Sequence, residues 1–133
     1  MAALAARTSR VRLGTAVLLP ALRHPVLLAQ TLATVDLISG GRLLIGAGVG
    51  GAFNDDQKRE WEAAGVPAKG RGRRFEEIIE IVQGLGSGEP FCFHGRDFDL
   101  DSALMRPVPT RPGGIPFLLA SHYRAQSPAQ IRR

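Results

Sequence analysis

The chain has 133 residues, a formal net charge of +5 and a sequence pI of about 10.6, with 44% hydrophobic and 22% charged residues. That length is enough for one domain with a real core, and the composition is ordinary for a globular protein. The positive residues are scattered (Arg7, Arg10, Arg12, Arg23, Arg42) apart from Arg71-Gly72-Arg73-Arg74 and Arg132-Arg133, and no aromatic platform is interleaved with them, which argues against a nucleic-acid partner.

Cys92 is the only cysteine, so an intrachain disulfide is impossible and a reducing, cytoplasmic setting is expected. Its neighbours Phe91 and Phe93 favour a packing role over a nucleophile. No apolar stretch is long enough to span a bilayer, and the opening Met-Ala-Ala-Leu-Ala-Ala-Arg is too short for a signal-peptide core.

In chain order, Ala2–Ala6 reads as the last turn of a helix. Val11–Leu19, closed by Pro20, alternates and then turns continuously apolar, as a strand does on passing from a rim into a barrel interior. Gly14 within it suggests a bulge or close backbone approach. His24-Pro25 starts a helix with proline at the first position, and Leu28, Leu32, Val35, with Leu27 and Ile38, give it a broad apolar stripe. Gly40-Gly41 stops it. Asp36 near its end is read as a structural hydrogen bond or a salt bridge to Arg42.

Leu43–Gly48 is a buried strand emptying into Gly46, Gly48, Gly50 and Gly51. Glycine-dense backbone there can approach a ligand closely and aim several N–H groups at an anion. A polar connection through Asn54-Asp55-Asp56 leads to a helical piece over Arg59–Ala64. Phe75, Ile78, Ile79 and Val82 then mark the clearest helix, ended by Gly84, Gly86 and Gly88. Phe91-Cys92-Phe93 and Phe98-Asp99-Leu100 flank a turn at His94–Asp97 and predict a β-hairpin with alternating buried aromatics. Ile115–Ala120 is a further buried strand. Ser127-Pro128-Ala129-Gln130 has the form of a helix start, so both ends read as cut through a helix.

Strand, helix, strand, helix, hairpin and strand imply right-handed βαβ units and a parallel sheet. Leu13–Pro20, Arg23–Val26, Ala33–Asp36, Ser39–Arg42, Gly46–Gly50, Glu62–Pro67, Arg71–Glu77 and Phe93–Gly95 together resemble the luciferase-like monooxygenase family, in order from about Thr8 to Ser121. The resemblance implies a (β/α)8 barrel that uses reduced FMN or the deazaflavin coenzyme F-420 on a small-molecule substrate. A whole barrel needs about 250 residues. The chain would then be a single partial barrel domain, 1–133, truncated at both ends, supplying strands three to five and an inserted β-hairpin.

By the same resemblance, Ala16-Val17 matches a non-prolyl cis peptide bulge that supports the cofactor ring. Val49, Gly50 and Asn54 match positions that line the cofactor. The sequence departs from the family pattern at Gly51, where some deazaflavin members carry an acid, and at Gly86, where tryptophan is usual. It departs again at His122-Tyr123-Arg124, where small residues commonly admit the phosphate. Weak cofactor binding by the chain alone follows as an expectation, as does homo-oligomerisation through exposed sheet edges.

Of the three histidines, His24 reads as a helix N-terminal residue and His94 as a turn residue. His122 alone lies where barrel chemistry takes place. Two other functions compete with the oxidoreductase. Gly46-Ala47-Gly48-Val49-Gly50-Gly51 fits the Rossmann G-x-G-x-x-G after a strand, but that fingerprint also needs a strand ending in an acid about 20 residues on, where Lys69–Gly72 stands. A non-catalytic remnant or basic interaction module is the other alternative.

Overall fold

The computed structural model describes residues 1–120, so the expectations for His122–Arg124 and for a helix opening at Ser127 lie outside the described residues. The elements are α1 (Ala2–Arg7), β1 (Leu13–Leu18), a 3-10 turn (Pro20–Leu22), α2 (Pro25–Ser39), β2 (Leu43–Ala47), α3 (Asp55–Ala63), α4 (Arg71–Leu85), β3 (Phe91–His94), β4 (Asp99–Ala103) and β5 (Phe117–Leu119). β1, β2 and β5 form one parallel sheet in that order, as the sequence implied. β3 and β4 make a separate antiparallel hairpin.

The core lies between the sheet and the α2–α4 layer. Leu43, Ile45 and Ala47 of β2 alternate into it and meet Leu28 and Leu32 of α2 and Ile78, Ile81 and Leu85 of α4. β1 and β5 depart from the buried strands expected, with Val17 48%, Leu118 59% and Leu119 55% exposed. They are the sheet's two edges, and an apolar run marks a strand covered on both faces without saying which segment covers the second one. The stripe of α2 is likewise narrower than its apolar residues suggested. Leu28 and Leu32 are buried and Val35 half-buried, but Leu27 and Ile38 lie exposed on flanks that no described element covers.

Gly40 closes α2 in the left-handed conformation, φ +65°, as expected. Asp36 is structural but does not pair with Arg42. Its buried carboxylate accepts the Thr110 N–H at 2.8 Å and ties the long connection before β5 to α2. α3 begins at Asp55, four residues before the expected start. Asn54 caps it by accepting the Gln57 N–H at 2.9 Å, and Asp55 and Asp56 sit favourably in the first turn. Gly84 lies inside α4 rather than ending it, because the Phe91 ring packs where its Cβ would stand.

In the hairpin, Phe91 and Phe93 are half-buried and stacked. The same alternation puts Cys92 on the exposed face, which corrects its expected packing role. His94 is the last residue of β3, beyond which the turn begins, and pairs with Asp99 at 2.6 Å. Glu77, buried on α4, accepts the Arg96 and Asp97 N–H groups at 3.0 and 2.9 Å and holds the hairpin turn to that helix. His24 is the N-cap residue of α2, its ring edge-on to Phe98.

At the opposite end of the sheet Arg42 gathers three segments. Its Nη1 donates to Thr8 Oγ1 and the Val11 carbonyl at 3.0 and 2.9 Å, and its Nη2 to the Ala5 and Thr8 carbonyls at 3.0 and 2.7 Å. Its Nε donates to the Ser39 carbonyl. Arg42→Met, which keeps the stem but removes every donor, is expected to lower unfolding free energy by about 3 kcal/mol in urea titrations. Arg42→Lys should recover less than half of that, because an ammonium cannot reproduce the fork.

Candidate functional site

The carboxyl ends of three neighbouring strands converge on one loop. β1 and β2 stay in register from Leu13 opposite Leu43 to Thr15 opposite Ile45, and the register shifts before Leu18 meets Ala47. The irregularity holds Ala16 and Val17, both exposed, and the Ala16–Val17 peptide is cis. The bulge therefore falls two residues after Gly14, whose own surroundings would accept a Cβ at ordinary contact distance.

Close approach bears on each of the four glycines, and most directly on Gly46. The Thr15 carbonyl oxygen occupies the space a Cβ on Gly46 would need, while Thr15 Oγ1 donates to the Gly46 carbonyl at 2.8 Å. A Cβ on Gly48 would stand 3.1 Å from Val17 Cγ2 and 3.8 Å from both Ala120 Cβ and Leu19 Cδ2. The ends of β1, β2 and β5 thus meet around buried Gly48, with exposed Val17 and Ala120 beside it. Hydrogen bonds from Gly48 N–H to the Leu18 carbonyl (2.9 Å) and from Ala120 N–H to the Ala47 carbonyl (2.7 Å) tie these ends together.

Beyond Gly48 the chain turns at Gly50, whose φ of +83° is a left-handed conformation. A Cβ there would also lie 3.0 Å from Trp61 Cζ2. Trp61, fully buried from α3, donates its Nε1–H to the Gly51 carbonyl at 2.8 Å. Arg71, at the start of α4, donates its Nε–H to the Gly50 carbonyl at 3.1 Å. The loop therefore rests on two side-chain donors.

Of the residues singled out from sequence, Ala16 and Val17 lie at this strand end and Gly50 in the loop beyond it, beside Trp61 and Leu19. Val49 packs its side chain against the core and offers only backbone. Asn54 spends its amide oxygen on the α3 cap. Gly46 and Gly48 were read only as part of the glycine-dense strand end, and Ala120, Trp61 and Arg71 were not singled out as site residues. Trp61, the chain's one tryptophan, was the signal available for the loop support. Among the described residues no cluster of three or more His, Cys, Asp or Glu could hold a metal, and no helix is long and apolar enough to cross a membrane.

Parallel strands backed by helices, with their carboxyl ends meeting at a glycine loop, define part of an α/β barrel sheet. A profile of the luciferase-like monooxygenase family matches residues 1–132, and the chain belongs to that family. An F-420-dependent glucose-6-phosphate dehydrogenase of Nocardia farcinica is 35% identical over 125 residues, covering 91% of this chain and 35% of the relative. A monooxygenase of Streptomyces bottropensis superposes with a TM-score of 0.78 at 36% identity, over 89% of this chain and 34% of the other. The coenzyme F-420-dependent tetrahydromethanopterin reductase of Methanopyrus kandleri superposes with a TM-score of 0.72 at 26% identity, over 89% and 36%. The chain spans about a third of the length of these relatives. The Rossmann alternative falls, because α4 begins at Arg71, where its second strand would have to run.

Gly46→Ala should cost about 1–3 kcal/mol in thermal or urea unfolding, since the obstructing atom is backbone and cannot swing aside. Gly50→Val should cost at least as much even without ligand, because a β-branched side chain is strained at a positive φ. Gly14→Ala, on the same sheet, should be within about 1 kcal/mol of wild type.

Proposed function

We propose that this chain forms the cofactor-ring wall of a hydride-transferring or oxygen-activating oxidoreductase that uses coenzyme F-420 or FMN. The observation that carries the reading is the joined strand ends, where exposed Val17 and Ala120 flank Gly48 so closely that a Cβ there would meet both. A flat ring system needs backbone and small side chains where it lies, and here two of the three contributors are no larger than alanine. Ala16, Val17 and Ala120 are open to solvent, so the surface can be covered by a ligand without dislodging core residues. Of the two cofactors, F-420 has the support of the glucose-6-phosphate dehydrogenase relatives, which are 34–36% identical.

When bound, the cofactor supplies the redox chemistry. The part of this chain is to hold and orient it. Val17 and Ala120 exclude water from one face of the ring, and the Val49–Ala52 backbone supplies donors at its edge. The small-molecule substrate of the whole protein would lie against the opposite face.

Titration of the chain with F-420 and with FMN, followed by cofactor fluorescence, tests the reading. Saturable binding with Kd of about 0.1–1 mM is expected, weaker than stoichiometric retention because one wall of a pocket buries only part of a ligand. Gly48→Val, whose side chain would push against Val17 at the joined strand ends, should weaken it about tenfold or more. A response to neither cofactor that saturates, or one that Gly48→Val leaves unchanged, rejects the proposal.

A further inference from the structure

The peptide planes of the glycine loop are set by two side chains outside it. Gly50 C=O points to Arg71 Nε and Gly51 C=O to Trp61 Nε1, at 3.1 and 2.8 Å. Both peptide bonds are trans, so the N–H on the far side of each plane, that of Gly51 and that of Ala52, points the opposite way. Trp61 is 1% exposed and lies in the core beneath the loop, so the Ala52 N–H points away from that core, and the Gly51 N–H points away from Arg71 at the start of α4. Among the described residues nothing accepts a hydrogen bond from the N–H of Val49, Gly50, Gly51 or Ala52.

We infer that Trp61 and Arg71 are positioning residues that fix the Gly51 and Ala52 N–H groups as a pair of donors for a carbonyl oxygen on the edge of the cofactor ring. This rests on the proposed cofactor wall, but the orientation of the two peptides does not. A glycine pair has little conformational preference of its own, and without the two anchors the peptide planes would flip at small cost. With the carbonyls held, the donors are preorganised, and binding need not order them. An aromatic ring of similar shape could fill the space of Trp61. A phenyl ring would do so without donating, whereas the indole N–H donates and so selects the peptide orientation.

The variant that separates packing from donation is Trp61→Phe, which keeps a ring beneath Gly50 and deletes the N–H. Arg71→Met does the same for Gly50 by keeping the stem alone. Amide NMR of the full chain reads the loop without any cofactor. In wild type the Gly51 and Ala52 amides should be sharp and exchange freely with solvent. In Trp61→Phe the Ala52 amide should move and broaden, and in Arg71→Met the Gly51 amide should do so, with Tm lower by no more than about 5 °C.

F-420 and FMN titrations then read the donors. Each variant should raise Kd about tenfold and reduce the shift of the bound cofactor's absorption band, a signature of hydrogen bonding that a purely structural role would not move. Unmoved Gly51 and Ala52 amides in both variants overturn the positioning role, as does wild-type Kd and band shift in variants whose amides have moved. If the wild-type chain binds neither cofactor, the proposed function fails, the donor pair loses its ligand, and the amide spectra alone decide the positioning of the peptides.

Discussion

The arrangement depends on one close approach, the Thr15 carbonyl oxygen lying where Gly46 would carry its Cβ. With Thr15 Oγ1 bonded to the Gly46 carbonyl, it locks β1 to β2 where the register shifts. Everything on the carboxyl side of the sheet follows from that contact. Val17 is set against Gly48, Leu18 accepts from Gly48, and Ala120 of the next strand is drawn to Ala47 and Gly48. A side chain at position 46 would separate the strands and open the surface.

The two ends of the sheet carry different work. At the amino ends, Arg42 binds the carbonyls that close α1, α2 and the approach to β1. At the carboxyl ends the side-chain donors Trp61 and Arg71 hold the loop from beneath, so its N–H groups are left outward. Barrels divide stability and chemistry between these two ends. The hairpin belongs to the second end, its turn latched by Glu77 close to the start of α4.

The sequence pattern was enough for strand order and direction, because three apolar runs separated by helical periodicity leave few topologies open. It was also enough for the break at Ala16-Val17, though only through the family resemblance. Burial was misjudged at Val17, Leu118 and Leu119, since hydrophobicity records what a surface can cover rather than what covers it. Of the two readings of Asp36, a structural hydrogen bond or a salt bridge to Arg42, the hydrogen bond forms, and both side chains reach residues about 30 or more positions away. Trp61 and Arg71 escaped notice because their targets are backbone carbonyls, which leave no trace in residue type. Asn54 was legible as a polar residue after the strand, but helix capping uses the same residue as ligand binding does.

The central claim is that cofactor lies on the joined ends of β1, β2 and β5. Intermolecular NOEs between the ring protons of F-420 or the ring methyls of FMN and the assigned chain measure this directly. The account predicts contacts to the Val17 methyls, the Gly48 α-protons and the Ala120 methyl. NOEs confined to the separate cavity between α2 and the sheet, which Thr15, Leu18, Leu28, Leu32 and Val35 line, would contradict it.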